Sequence, residues 1–384
     1  MASPCMNPLK NTMRHTQLAV VKHRIVLGQP LPFNVFNKDL TLLLAKGMTI
    51  DNAAQLEALL ERGTVVDLAE LHRATDAIKH APADLLPALW QDNMDRVART
   101  LRTVQVETFR EALEEVAEPV TTLIDRDPDL AIFQVLRQDT SATLQYGINH
   151  AVHTAIVCRL VAQRLQWSPT DATRAFKAAL TMNLAMFELQ GILASQATPP
   201  TDEQRRQIHS HPIRSREMLM NAGVADHDWL KAVEQHHEQP DRSGYPFGIN
   251  NPSEIATLLQ RADVYTAKLS ARATREPMAA DRAGRELFMR DPANPITAAL
   301  VKEFGVYPPG CYVALASGET GVVIKRGPTV MAPVVAAMTN RHGDALVEPV
   351  RRDTTQPGQT VVAVLPAKSV KVRLAPEKLL AMAA

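Results

Sequence analysis

The stretch HHEQPDRSGYPFG, residues 236–248, places two adjacent histidines and a glutamate before a polar turn that ends in Gly-Tyr-Pro-Phe-Gly. Neighbouring imidazoles beside a carboxylate are typical ligands of a transition-metal site. A complete site needs further ligands from other parts of the chain. Fold and function therefore depend on which other histidine and aspartate residues meet this stretch.

The composition is that of a globular protein without a dominant charge. The chain has 384 residues, 46% hydrophobic and 22% charged, which predicts two or three domains with ample buried core. A formal net charge of +1 provides no field to attract nucleic acid, and we expect no nucleic-acid partner. No apolar run approaches the roughly 20 residues of a membrane span, and residues 1–18 lack the apolar core of a signal peptide. Cys5, Cys158 and Cys311 are few, odd in number and far apart, so we expect a reducing, cytoplasmic location without a disulfide framework.

The amino-terminal part has the pattern of a small β-rich module. Residues 23–51 mix β-branched and aromatic residues with glycine and proline, which predicts short strands and turns. A short helix is predicted to follow, with Asp51 as its cap and Gly63 at its end.

The middle of the chain, from about 85 to 300, has helical periodicity. Pro119 is expected to break or kink one of these helices. Residues 171–189 predict one continuous helix, and Thr201 with Gln204 fits a capping box at the start of another.

Strand patterns return after Phe304. Residues 307–327 predict a hairpin with its turn at Ser317–Gly318, and VVAAMTN (334–340) and TVVAVL (360–365) predict further strands. The large helical block between the two β regions should therefore carry the chemistry.

Residues 236–248 resemble the HHExxDGSGYPxG signature of HD-GYP domains, the bacterial phosphodiesterases that open and cleave cyclic di-GMP at a two- or three-metal centre. Both histidines, the glutamate, the aspartate and the Ser-Gly-Tyr-Pro run are in register. HTAIVCRLVAQRL resembles the family's first ligand helix, HSHPIRSREML its His-Pro segment and RADVYTA its Ala-Asp segment. Order and spacing agree from about 140 to 280.

The resemblance implies a mainly α fold, with an all-helical HD-type core of five to seven helices and small β-rich regions at both ends. Its expected divisions are a β-rich module with a closing helix (1–80), a helical linker (81–134), an HD-GYP-like domain (135–304) and a β extension (305–384).

The resemblance also implies the site residues. The metal ligands would be His153, His211, His236, His237 and Asp263. The signature loop would comprise Glu238, Asp241, Arg242, Ser243, Gly244, Tyr245 and Pro246. We expect the five ligands to converge on one cavity, with Asn183 pointing into it.

The resemblance fails at the His-Asp pair that names the family. Where the family carries Leu-His-Asp-Ile-Gly-Lys, Met182 stands for the histidine, Asn183 for the aspartate and Met186 for the lysine. These positions are therefore degenerate as catalytic positions. Smaller departures are Asn149, where a further glutamate ligand can stand, and Thr266, where an aspartate is common.

Each replacement removes a separate part of two-metal hydrolysis. A bridging carboxylate holds two cations about 3.5–4 Å apart, and Asn183 has no charge with which to do so. The thioether of Met182 prefers soft metals, and Met186 removes a cation that could hold a phosphate oxygen. We therefore expect one divalent ion (Fe, Mn or Zn) or none.

Two further histidines lie near the expected ligands on their helices. His150 shares a helix face with His153 and could enter the same cavity. His209 and His211 diverge by about 200°, so His209 should point away.

Three hypotheses remain. The first is a degenerate HD-GYP signalling protein with weak or no phosphodiesterase activity that binds cyclic di-GMP or a protein such as a diguanylate cyclase or response regulator. The second is an active metal-dependent cyclic di-GMP phosphodiesterase that uses a rearranged site. The third is a scaffold that binds neither metal nor nucleotide. The intact Ser-Gly-Tyr-Pro run favours a retained binding surface, and the three joint losses disfavour the second hypothesis.

Overall fold

A computed structural model describes residues 15–67, 75–105, 107–137 and 143–372, together with 378, 379 and 382. Cys5 and residues 1–14 lie outside the described residues. The α-helices with defined bounds are α1 (Ala53–Glu61), α2 (Leu86–Leu101), α3 (Phe109–Arg126), α4 (Pro128–Leu136), α5 (Thr143–Arg164), α6 (Pro169–Thr181), α7 (Phe187–Ser195), α8 (Asp202–Asn221), α9 (His227–Gln235), α10 (Glu254–Leu269), α11 (Ala280–Arg290) and α12 (Pro295–Phe304). The strands are β1 (His15–Gln17), β2 (Val35–Phe36), β3 (Leu42–Leu44), β4 (Val65–Asp67), β5 (Tyr312–Leu315), β6 (Thr320–Lys325), β7 (Val334–Thr339), β8 (Ala345–Asp353) and β9 (Val361–Leu365).

This architecture confirms the mainly α class, with a small antiparallel sheet at each end of the helical body. Short 3-10 turns occur at Leu18–Arg24, Ala83–Leu85, Leu184–Met186 and Ala367–Ser369. None of the described helices combines the length and apolar character needed to cross a lipid bilayer.

The amino-terminal module is a four-stranded sheet in the order β1-β4-β2-β3. It has a hydrophobic core of its own, formed by Leu18, Val21, Leu31, Phe33, Val35, Ile50, Leu56, Leu59 and Val66. Helix α1 is capped by Asn52, whose side chain accepts a hydrogen bond from the Gln55 amide at 2.9 Å. The expected cap at Asp51 is therefore wrong by one residue, because aspartate and asparagine are equally good caps.

The expected break at Pro119 is wrong, and the alternative of a kink stays a prediction. Pro119 lies inside α3, and the helix runs on to Arg126. A proline inside a helix costs about 3 kcal/mol, but the buried residues on either side, Val116 and Val120 among them, hold this helix in the core.

Residues 171–189 form three pieces instead of one helix. The backbone leaves the helical conformation at Asn183 (φ −110°, ψ 17°) and again at Met186 (φ −139°, ψ 16°). The buried hydroxyl of Ser215 accepts a hydrogen bond from the Ala185 amide at 3.1 Å, which stabilises the break. Because of this interruption and the short α9, eight α-helices lie within residues 143–304, more than the five to seven expected.

The carboxy-terminal sheet has five antiparallel strands in the order β8-β7-β6-β5-β9. The predicted hairpin turn is confirmed, and Gly318 adopts the left-handed conformation (φ 88°) that favours glycine. Strand β8 is missing from the sequence expectations, because Glu348, Pro349 and Arg351 interrupt its strand pattern. Tyr312, Val322, Ile324, Ala336 and Met338 of this sheet belong to the main hydrophobic core of the helices. The boundaries of the four expected divisions stay a prediction.

An ion network fastens the carboxy-terminal sheet to the helices. The buried Glu303, at the end of α12, accepts hydrogen bonds from Arg326 at 2.8 Å and from Arg164. Arg326 follows β6 and also bonds to the buried Asp129 of α4. Three helices and one sheet therefore meet at four charged side chains.

We predict that Glu303→Gln destabilises the protein by about 1–3 kcal/mol, because it leaves two arginines without their shared carboxylate. This loss is smaller than for a fully buried ion pair, because both arginines are partly exposed and screened by solvent. Urea denaturation measures the change. Glu286→Gln, which removes the exposed partner of Lys268, is the matched control. Equal losses in the two variants would contradict a structural role of the network.

Candidate metal centre

Three histidines gather at one point of the helical body. His211 lies in the middle of α8, His236 directly follows α9, and His237 is the next residue. One ligand atom from each lies within 4.8 Å of the other two. His211 and His236 are 1% and 0% exposed, so the group lies inside the protein. This arrangement brings together three of the five residues expected as ligands.

The ring nitrogens of His211 and His236 have the geometry of a metal site. Nδ1 of His211 donates to the Ile208 carbonyl at 2.5 Å, and Nδ1 of His236 donates to the Val233 carbonyl at 2.6 Å. With Nδ1 protonated, each neutral ring carries a lone pair on Nε2, and the two Nε2 atoms face each other at 3.1 Å. Two facing lone pairs repel, and a cation between them would satisfy both. The donor set therefore fits a divalent metal ion.

Burial keeps these rings neutral. It lowers the pKa of His211 to about 3, with the neighbouring His236 as the second cause. Burial also lowers the pKa of His236, and it lowers the pKa of His237 well below the usual value. Neutral imidazole is the form that binds a metal.

Capping residues determine where the two helices that carry this group begin. Helix α8 begins with the predicted capping box, in which Thr201 and Gln204 exchange hydrogen bonds. Helix α9 begins at Asp226, whose carboxylate accepts from the Trp229 amide at 3.0 Å and binds Arg174 at 2.9 Å. The caps fix where each helix starts, and hence where His211 and His236 stand.

The signature loop is folded around Glu238. This buried carboxylate accepts hydrogen bonds from the Phe247 amide at 2.7 Å and the Ile249 amide at 3.0 Å. Gly244 passes so close to the chain that a Cβ would lie 2.5 Å from the His237 carbonyl oxygen. Glu238 and Gly244 therefore maintain the shape of the loop.

The remaining loop residues lie nearer the surface. Asp241 accepts from the Ser243 amide and hydroxyl at 2.9 and 2.6 Å, which makes a local turn. Arg242 is exposed and has a left-handed backbone (φ 65°). Tyr245, joined to Pro246 by a cis peptide bond, stacks on His237 with the ring centroids 4.6 Å apart.

Asp263 of α10 is bonded to a histidine other than the one expected. His150 Nε2 lies 2.7 Å from Asp263 Oδ1. Burial alone would raise the pKa of Asp263, but the hydrogen bond from His150 and the charges of His150, His237 and His236 hold it well below its usual range. The carboxylate is therefore electrostatically linked to the three-histidine group.

His153, the expected first ligand, lies one turn after His150 on α5. Its Nδ1 is buried and has no hydrogen-bond partner among the described residues. Burial, followed by the charge of His150, lowers the pKa of His153 to about 3. The ligand role of His153 stays a prediction, and the geometry favours His150 as the residue that meets Asp263.

The three positions predicted to be degenerate are buried. Met182 is 0% exposed and packs in the main hydrophobic core. Asn183 is buried, and its Oδ1 has no hydrogen-bond partner in the described part of the chain. Met186 is also buried. Apolar side chains thus stand at two of the three positions.

Two functional candidates were missed by sequence reasoning. Tyr146 stacks parallel to His150, with the ring centroids 6.2 Å apart. Arg272 donates from Nε to the Tyr146 hydroxyl at 3.2 Å and is exposed. Tyr146 precedes His150 by one helical turn, and this spacing is a signal that could have identified it. Arg272 lies in a loop without a pattern that points to the site.

Comparisons with known proteins found a family model, sequence relatives and a solved structure that are similar to this chain. A model described as an HD domain matches residues 134–288. A cyclic di-GMP phosphodiesterase of Pseudomonas aeruginosa is 26% identical over 295 residues, which is 73% of this chain and 68% of that protein. A probable cyclic di-GMP phosphodiesterase of Vibrio cholerae is 27% identical over 177 residues, which is 42% of this chain and only 40% of that protein. The solved structure of an HDG"Y"P protein from Bdellovibrio bacteriovorus shares the fold, with a TM-score of 0.50, 13% identity and coverage of 75% of this chain and 98% of that one.

We predict that His153→Gln weakens the acid sensitivity of the metal-free protein. The pKa of His153 is about 3 in the folded protein, against a usual value of 6.5. Between about pH 3 and pH 6.5 the unfolded state therefore binds a proton at this ring that the folded state does not bind. This depressed pKa means that stability present above about pH 6.5 is lost as the pH falls towards about 3. Between about pH 7.5 and about pH 5, one such group contributes roughly 2 kcal/mol of loss. Urea denaturation in chelator at the two pH values tests this, and an unchanged loss in the variant would refute it.

Proposed function

We propose that this chain is a degenerate signalling member of the HD-GYP family of HD-domain proteins, because an HD-domain model matches residues 134–288 and cyclic di-GMP phosphodiesterases are similar to it in sequence. In this proposal it binds cyclic di-GMP or a protein partner and has weak or no phosphodiesterase activity. Its relatives are named as cyclic di-GMP phosphodiesterases, which supports cyclic di-GMP as the ligand of the same site.

One observation carries the proposal: Met182, at the position of the family's first histidine, is fully buried in the apolar core. A thioether packed among hydrophobic side chains contributes no ligand to Fe, Mn or Zn. Asn183 adds a neutral amide where two cations would need a shared negative charge. The missing metal ligand at Met182 and the missing negative charge at Asn183 are therefore neighbours in the sequence.

We therefore propose a centre with one divalent ion, Fe, Mn or Zn, in place of the two or three metals that the family resemblance implies. His211, His236 and His237 would hold it, since their ligand atoms already lie within 4.8 Å of one another. A bound divalent ion would supply a positive charge for a phosphate oxygen and would lower the pKa of a bound water. Asp263, which is bonded to His150, would add a negative charge near this group.

Cyclic di-GMP binding requires cations for two phosphates, and Met186 no longer offers one. Arg272 is positioned to contribute, because its hydrogen bond to Tyr146 places it over a ring that stacks on His150. Its exposed guanidinium retains further donors for a phosphate. Arg242 is a second exposed cation on the signature loop.

A protein partner, such as a diguanylate cyclase or a response regulator, would use the signature loop. The loop is rigid, because Glu238 and Gly244 hold it from inside. It also presents Phe247, which is 55% exposed. A fixed loop with an exposed aromatic side chain is suited to protein contact.

The alternative is an active phosphodiesterase with a rearranged site. It is favoured by one contact, the His150–Asp263 pair at 2.7 Å. This pair brings an imidazole and a carboxylate next to the three histidines, and both residue types are suitable ligands. The alternative still lacks a carboxylate at position 183 to bridge two metals.

We predict that the wild-type protein binds cyclic di-GMP but turns it over at most very slowly. Loss of a second metal costs several kcal/mol of transition-state stabilisation, on the order of a thousandfold in rate. Incubation with cyclic di-GMP and Mn(II) or Fe(II), with chromatography for the linear dinucleotide and GMP, measures turnover, and calorimetric titration measures binding. The combined variant Met182→His, Asn183→Asp and Met186→Lys should gain activity. Clear wild-type turnover that His237→Ala abolishes would establish the alternative instead.

The metal content provides an independent prediction. We expect at most one equivalent of Fe, Mn or Zn per chain after purification without chelator, because the described residues assemble one group of three ligand atoms. His236→Ala should lower this content at least about tenfold, since it removes one of three ligands. Elemental analysis measures both proteins. Two or more equivalents in the wild type would rule out the single-ion centre.

A further inference from the structure

Tyr245 lies between two histidines. Its ring centroid is 4.6 Å from that of His237, with the rings 22° from parallel, and 4.6 Å from that of His209, with the rings tilted by 35°. His209 is exposed and lies on α8, two residues before His211. The three rings therefore form a stack from the surface to the three-histidine group.

The three histidines of the group are not held in the same way. His211 and His236 each donate from Nδ1 to a backbone carbonyl, and such a bond fixes the orientation of a metal-ligating ring. No hydrogen bond to a ring nitrogen of His237 is present within the part of the chain that the structure describes. The orientation of His237 therefore depends on the rings that pack against it, and Tyr245 is the one stacked nearly parallel to it.

The backbone fixes the position of Tyr245 but leaves the stack to side-chain contacts. The Tyr245 amide donates to the His237 carbonyl at 3.2 Å, and Gly244 packs against the same carbonyl. The ring can still rotate about its side-chain bonds. His209, carried by the rigid helix α8, packs against the ring and limits that rotation.

We propose that His209 is a positioning residue that clamps Tyr245 onto His237 and thereby orients this ring for metal binding. The stack replaces the hydrogen bond that orients the other two rings. The inference rests on the proposed single-ion centre, whose third ligand is His237. His209 acts through its aromatic surface, so another aromatic residue should replace it and a small residue should not.

The test compares His209→Ala with His209→Phe, using Co(II) as a spectroscopic probe of the loaded protein. We expect His209→Ala to raise the rate of Co(II) release about 10- to 100-fold, the usual effect of losing a residue that orients a ligand, and to alter the Co(II) absorption spectrum. His209→Phe should retain the wild-type rate and spectrum. His227→Ala, at an exposed histidine on α9, controls for general loss of a surface imidazole.

A second measurement keeps the inference testable if the protein binds no Co(II), which would overturn the proposed centre. In the metal-free protein, the ring protons of His237 should be shielded by the Tyr245 ring. NMR of the histidine rings should show this shielding in the wild type and in His209→Phe, and its loss in His209→Ala. Unchanged shielding in His209→Ala, or equal effects of the Ala and Phe substitutions, would overturn the clamp.

Discussion

The candidate metal centre depends on one contact, between the facing Nε2 atoms of His211 and His236. They lie 3.1 Å apart while Nδ1 of each ring donates to a carbonyl one turn earlier. Both rings are buried and neutral, so neither nitrogen offers the other a proton. The helices α8 and α9 thus hold two lone pairs together, an arrangement that a bound cation stabilises. The signature loop starts from the same place, since its first residue, Glu238, is two residues after His236.

The opposite side of the centre is organised by contacts between side chains. His150 and Asp263 join α5 to α10 at 2.7 Å, and one turn further along, the hydroxyls of Thr154 and Thr266 meet at 2.9 Å. The resemblance to the family predicts an aspartate at the position of Thr266, and a neutral pair of hydroxyls is present there. The two helices are fastened without a metal, and Met182 fills the adjacent core. One side of the centre therefore presents ligand nitrogens to a common point, while on the other side His150 and Thr154 are paired with residues of α10 and His153 Nδ1 and Asn183 Oδ1 have no partner among the described residues.

The sequence predicted best the parts whose structure is set locally. The capping box at Thr201 and the turn at Gly318 depend on a few neighbouring residues, and both were predicted. The choice between His150 and His153 could not be made, because residues three apart share a helix face and only Asp263, more than a hundred residues away, distinguishes them. The break at Asn183 was missed for the same reason, since the Ser215 hydroxyl that stabilises it comes from another helix.

The signature loop keeps its internal hydrogen bonds although Arg242 departs from the expected signature. Arg242 adopts a left-handed conformation (φ 65°), which costs about 1 kcal/mol more than it would for glycine. The two hydrogen bonds to the Glu238 carboxylate are charge-assisted, at about 1.5–3 kcal/mol each, and they offset this strain. The loop therefore keeps its fold and presents an exposed guanidinium where the HHExxDGSGYPxG signature has glycine. Binding needs a preserved shape and complementary charge, whereas hydrolysis also needs the bridging carboxylate that position 183 lacks, and this difference favours recognition as the role of the site.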